Sequence, residues 1–93
     1  MISKEIQEFI GQMKKLNSVG CILVADKSLQ KLLRSLDESK EKIALPHLVV
    51  TRKTQLEGIK RPSILVISEK EYASENSFTE SIREKADYFI NIA

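Results

Sequence analysis

The chain predicts a small three-layer α/β fold, with about four mostly parallel strands and helices on both faces, in the order α-β-α-β-β-α-β. Three observations point there. VGCILVA (Val19 to Ala25) and SILVIS (Ser63 to Ser68) are short, nearly continuous apolar runs, as strands buried on both faces require. Between such runs lie stretches whose apolar residues recur every three or four positions, the period of a helix packed on one side. The two kinds of segment alternate, and alternation favours a parallel sheet with right-handed crossovers. A length of 93 residues suits one domain spanning 1–93.

The first helix is expected from Lys4 to Leu16, because Ile2, Ile6, Phe9, Ile10, Met13 and Leu16 share one helical face. Ser3 suits its N-cap, Glu5 its first turn, and Lys14 and Lys15 its last. Gly11 inside it costs about 1 kcal/mol relative to alanine, which suggests close packing against a neighbour. A strand follows from Val19 to Ala25. Asp26 ends it and can cap the next helix, whose stripe is Leu29, Leu32, Leu33 and Leu36. Asp37 to Lys42, DESKEK, reads as a solvated exit.

Pro46 precedes a second strand, His47 to Thr51, and Pro62 stands at the mouth of a third, Ser63 to Ser68. The link from Arg52 to Pro62 is just long enough for a parallel crossover, with one helical turn over TQLEGI stopped by Gly58. A hairpin with these two strands antiparallel is the rival. Glu69 to Asn76 reads as a polar loop with a turn of helix that points Tyr72 inward. Ser77-Phe78-Thr79-Glu80 fits a capping box, with Phe78, Ile82 and Ala86 as the stripe of the helix it opens. Tyr88 to Ile92, YFINI, closes the chain as a fourth strand.

Apolar content of 42% and charged content of 30% describe an ordinary globular chain and argue against disorder. The formal charge of +2 is too small to imply a nucleic-acid partner by itself. Its distribution is uneven, since the bases concentrate in the middle and acids dominate the C-terminal third. No apolar run approaches the roughly 20 residues of a membrane span, and the charged N-terminus has no signal-peptide core. With one cysteine, Cys21, in an apolar run, the expectation is a buried reduced thiol in a cytoplasmic protein.

Ligands of open α/β sheets bind beyond the C-terminal strand ends. Those ends carry Asp26, Lys27 and Ser28, then Thr51, Arg52 and Lys53, then Ser68 and Glu69, so this rim is one candidate binding edge. Arg52, Lys53, Lys60 and Arg61 are candidate nucleic-acid contacts, without an interleaved aromatic to stack on bases. In a parallel sheet the two pairs sit at opposite ends, whereas a hairpin would gather all four. Tyr88, Phe89, Ile90, Asn91 and Ile92 form an apolar strand with no proline and no charge. Such a strand lies inside the sheet or pairs with another chain.

Catalytic templates find little to rest on. His47 and Cys21 stand alone in separate strands, and the ligands for a zinc site are too few. The glycines, Gly11, Gly20 and Gly58, form no dinucleotide fingerprint. Glu38-Ser39-Lys40 has the spacing of a nuclease E-x-K but sits at a helix end. No catalytic residue, metal or cofactor is therefore assigned.

Asp26-Lys27-Ser28 after a strand resembles the end of a phosphate-binding P-loop in two residues. Val24-Ala25-Asp26 replaces the glycines that would let amides wrap a phosphate. Over about fifty residues, Leu23 to Leu33 and then Val49 to Glu69 are similar in layout to the middle strands of P-loop ATPase and helicase cores. Ser68-Glu69 stands where that family carries its magnesium-holding Asp-Glu, and no phosphate loop precedes it. The resemblance implies a degenerate domain without ATPase activity.

The expectation is a small cytoplasmic, non-catalytic binding or regulatory module. Its partner is another protein or a second copy in a homodimer, with nucleic acid as the alternative and no membrane.

Overall fold

The computed structural model describes residues 3–39, 45–74 and 76–92, with the side chains of 76–78 excepted. Ile2, the Lys40 of the E-x-K spacing, the Lys40 to Lys42 part of DESKEK, and the Ser77 and Phe78 side chains of the expected capping box lie outside that set. The elements run α1 (Lys4–Leu16), β1 (Val19–Val24), α2 (Asp26–Glu38), β2 (His47–Val49), a 3-10 turn (Lys53–Leu56), β3 (Ser63–Ser68), α3 (Glu69–Ser74), α4 (Asn76–Lys85) and β4 (Tyr88–Ile92). The four strands form one sheet in the order β2-β3-β1-β4. Every neighbouring pair is parallel, with Val19 beside Ser63, Gly20 beside Tyr88 and His47 beside Ile64. The link between β2 and β3 is thus a crossover, not a hairpin.

Alternation along the strands divides the core into two layers. On one face Ile22, Val24, Ile64 and Val66 meet Ile6, Phe9, Ile10 and Met13 of α1 and Leu32 and Leu36 of α2. On the other, Cys21, Leu65 and Ile67 meet Val50, Leu56, Ile82 and Ala86, with Tyr72 of α3 packed at the margin. The two central strands, β1 and β3, are buried along nearly their whole length, which accounts for their continuous apolar runs. Each such Leu, Ile or Val contributes about 1.5–3 kcal/mol relative to exposure.

α1 forms as its sequence predicts. The Ser3 hydroxyl accepts from the Ile6 amide at 3.3 Å, and Asn17 closes the helix in the left-handed region at φ 53°. Gly11, however, does not mark a close approach, since a Cβ there would meet nothing within 4 Å. The close approach is at Gly20 of β1, where a Cβ would fall 2.6 Å from both Met13 Sδ and Phe9 Cζ. Helix α1 settles directly onto this gap in the pleat.

Several boundaries differ from expectation, among them the start of α4, which is helical from Asn76 and so includes Ser77 instead of being capped by it. Strand β2 stops at Val49 rather than Thr51. The Gln55 Oε1 atom accepts the amides of Thr51 at 2.7 Å and Arg52 at 2.9 Å, turning the backbone into the 3-10 turn. Gly58, at φ 77°, then redirects the chain toward β3. Strand β1 stops at Val24, and Ala25 occupies the N-cap of α2 with no side-chain bond. Asp26 sits inside the first turn, so it does not cap α2. Its carboxylate accepts from the Lys70 amide of α3 at 3.4 Å. The stretch after β3 is helical over six residues, Glu69–Ser74, rather than a loop with one turn.

Candidate functional site

The parallel sheet brings all its C-terminal strand ends to one rim. The crossover from β1 runs through α2 on one face, and that from β3 runs through α3 and α4 on the other. The connections leaving the neighbouring strands β1 and β3 therefore depart to opposite faces of the sheet, the arrangement that opens a crevice at the C-terminal ends of α/β strands. Along the rim stand Thr51, Arg52 and Lys53, then Ser68 and Glu69, then Asp26, Lys27 and Ser28. Only part of this set is joined. Asp26 reaches Lys70, and the Ser68 hydroxyl accepts from the Glu71 amide at 3.2 Å. Both oxygens thus hold the first turn of α3. Thr51 and Arg52 bond to Gln55 and, among the described residues, share no hydrogen bond or ion pair with Asp26 or Glu69. Lys27, Arg52, Lys53 and Glu69 are exposed.

The four bases of the link do not form one patch. Arg52 and Lys53 follow the C-terminal end of β2, while Lys60 and Arg61 precede the N-terminal end of β3. Arg61 is committed to a forked ion pair with Asp87, at 2.8 Å and 3.3 Å. His47 Nε2 lies 3.5 Å from Asp37 Oδ1 at the other end of the sheet from the rim. Cys21 is fully buried, and desolvation pushes its thiol up to about 12, which leaves almost no reactive thiolate at neutral pH. Among the described residues no cluster of His, Cys, Asp and Glu could hold a metal ion, and no helix is long and apolar enough to cross a membrane.

The sheet has two edges, and they are built differently. The β2 edge is three residues long, is preceded by Pro46 and turns away at Thr51. Short length and proline are the usual means of blunting an edge against further pairing. The β4 edge is five residues long with neither proline nor charge. Tyr88 is 41% exposed and Phe89 44%, the largest exposures of any aromatic residue described apart from those of excluded side chains. Ile90 and Ile92 pack against the α1 and α2 layer, so that face of β4 is partly covered.

The backbone of β4 is oriented by one bond. The Ala25 amide donates to the Ile92 carbonyl at 3.2 Å, so the peptide groups of Ile92, and by alternation those of Ile90, face β1. Those of Phe89 and Asn91 point outward, away from the sheet. Their side chains lie on the α3 and α4 face, where they remain exposed. Beside them is a cleft of about 300 Å³ lined by Leu23, Tyr72, Arg83, Phe89, Ile90 and Asn91.

Arg83 is placed at this cleft by α4, one position beyond the buried Ile82. Its Nη2 donates to the Tyr72 hydroxyl at 3.2 Å. Tyr72 is tied in turn, because its carbonyl accepts from Thr79 Oγ1 at 2.7 Å. Helix α4 also carries the exposed acids Glu80 and Glu84, yet Arg83 forms no ion pair among the described residues. Sequence reasoning identified the strand Tyr88 to Ile92 but missed Arg83 and Tyr72. The available signal was the Ile82 stripe, which places Arg83 at its flank. Comparison with family models, with curated proteins and with solved structures finds no match to this chain.

Proposed function

We propose that the protein is a non-catalytic binding or regulatory module whose partner is a protein, engaged by strand addition at the edge of β4. The observation that supports this reading is the outward row of peptide groups at Phe89 and Asn91, in a strand with no gatekeeping charge and with an apolar cleft at its side. Strand addition draws its affinity from main-chain hydrogen bonds and its specificity from pockets for alternate side chains, and both features stand together here. The buried thiol accords with a reducing, cytoplasmic setting.

The test uses two variants chosen to spare the fold. Asn91→Pro removes an outward donor without touching the ladder to β1, and Phe89→Lys installs an edge charge. Peptides selected by the wild-type protein from a displayed random library should lose binding to both variants, with circular dichroism unchanged. Selected peptides that bind both variants as well as wild type would remove β4 from the account.

A further inference from the structure

We infer that the strand added to β4 is an extended segment of a different protein carrying a large apolar side chain and, two positions along on the same face, a carboxylate. The inference rests on the reading of β4 as the docking edge and names the chemistry of what docks. An added strand would place alternate side chains on the α3 and α4 face, over the cleft between Leu23, Phe89 and Tyr72. That space of about 300 Å³ accommodates one large apolar side chain.

Arg83 supplies the second requirement. It is exposed, lies at the wall of the cleft and is steadied by the Tyr72 hydroxyl, with no ion pair to an acid among the described residues. One of its donors is used there, and the remainder can form a forked pair with a carboxylate. Because the side chain is already held by Tyr72, less rotamer entropy is lost when that pair forms. The cation also argues against a second copy as occupant. Two β4 strands paired antiparallel about a two-fold axis would keep the same face up. They would bring two Arg83 side chains to that face, with no acid on either β4 to separate them. A foreign strand with an acid removes the conflict.

The experiment uses three labelled seven-residue peptides of alternating threonine and valine with a central leucine. The position two residues beyond the leucine is aspartate, asparagine or lysine. Fluorescence anisotropy at physiological salt should rank aspartate about ten-fold tighter than asparagine, with lysine weakest. Arg83→Gln should bring the aspartate and asparagine peptides to within about two-fold, and Arg83→Glu should invert the order in favour of lysine. Equal binding of all three peptides, lost in Asn91→Pro, would overturn the carboxylate inference and leave the β4 reading standing. Failure of all three to bind would overturn both. Light scattering that shows a dimer, abolished by Asn91→Pro, would make a second copy the occupant and overturn the inference.

Discussion

Arg61 grips Asp87 through two contacts, Nη1 to Oδ2 at 2.8 Å and Nη2 to Oδ1 at 3.3 Å, across 26 positions of chain. The same Oδ2 accepts from the Val19 amide at 3.0 Å, and the Asp87 amide donates to the Val19 carbonyl at 2.7 Å. One carboxylate therefore ties the approach to β3, the first residue of β1 and the start of β4. It sets where the edge strand begins, at the end of the sheet opposite the rim.

Asp87→Ala leaves the Val19 amide and the guanidinium without an acceptor. It should lower stability by about 1.5–3 kcal/mol. Arg61→Ala should cost less than about 1 kcal/mol, because the Arg61 side chain is 51% exposed and the pair is partly screened. Urea denaturation measures both, and the Arg61 effect should shrink further at high salt.

The two glycines in and under α1 should respond with opposite signs. Gly20→Ala drives a Cβ against Met13, which is fully buried, and against Phe9. It should cost about 1–3 kcal/mol through forced repacking. Gly11→Ala meets open space in a helix interior and should stabilise by about 0.5–1 kcal/mol. Thermal or urea unfolding of the two variants makes the comparison.

Cys21 provides a pH signature. Burial raises its thiol from 9.0 to about 12, so the unfolded chain releases this proton before the folded one does. The thiol's contribution to stability is fully present below the unfolded value and is lost as pH rises from there through the folded value. Wild type should therefore lose stability relative to Cys21→Val between about pH 9 and about pH 12, with a constant offset below that window.

The rim and the edge can be separated by charge reversal. Asp26 and Ser68 are occupied in holding α3, and among the described residues Arg52 and Glu69 have no partner across the rim. Arg52→Glu and Glu69→Lys should leave peptide affinity at β4 within about two-fold, as exposed substitutions away from the contact usually do. A loss of ten-fold or more in either variant would return the rim to the binding surface.

Local chemistry carried most of the architecture. The α1 stripe, its Ser3 cap, the doubly buried runs of β1 and β3, and the Gly58 stop were legible because each depends on a few neighbouring residues. Sheet order was not. Nothing local in YFINI tells whether Tyr88 pairs on one side or on both, since that depends on β1 accepting β3 and β4 as its two neighbours. Asp26 was misread for the same reason. A residue that looks like the cap of its own helix instead serves α3, 44 positions later. The close approach expected at Gly11 lies at Gly20 instead, because a close approach is a property of two packed elements. The cleft at Arg83 was invisible because it exists only where helices that bury Leu65 and Ile67 leave Phe89 and Asn91 exposed.

Amide hydrogen exchange along β4 tests the central claim most directly, with the aspartate-bearing peptide as ligand. In the free protein Ile90 and Ile92 should exchange slowly, because they bond to β1, while Phe89 and Asn91 exchange fast. Saturating peptide should slow Phe89 and Asn91 and leave Ile90 and Ile92 as they were. Phe89 and Asn91 amides that stay fast in the complex, or that are already protected in the free monomer, would contradict an open edge that binds by strand addition.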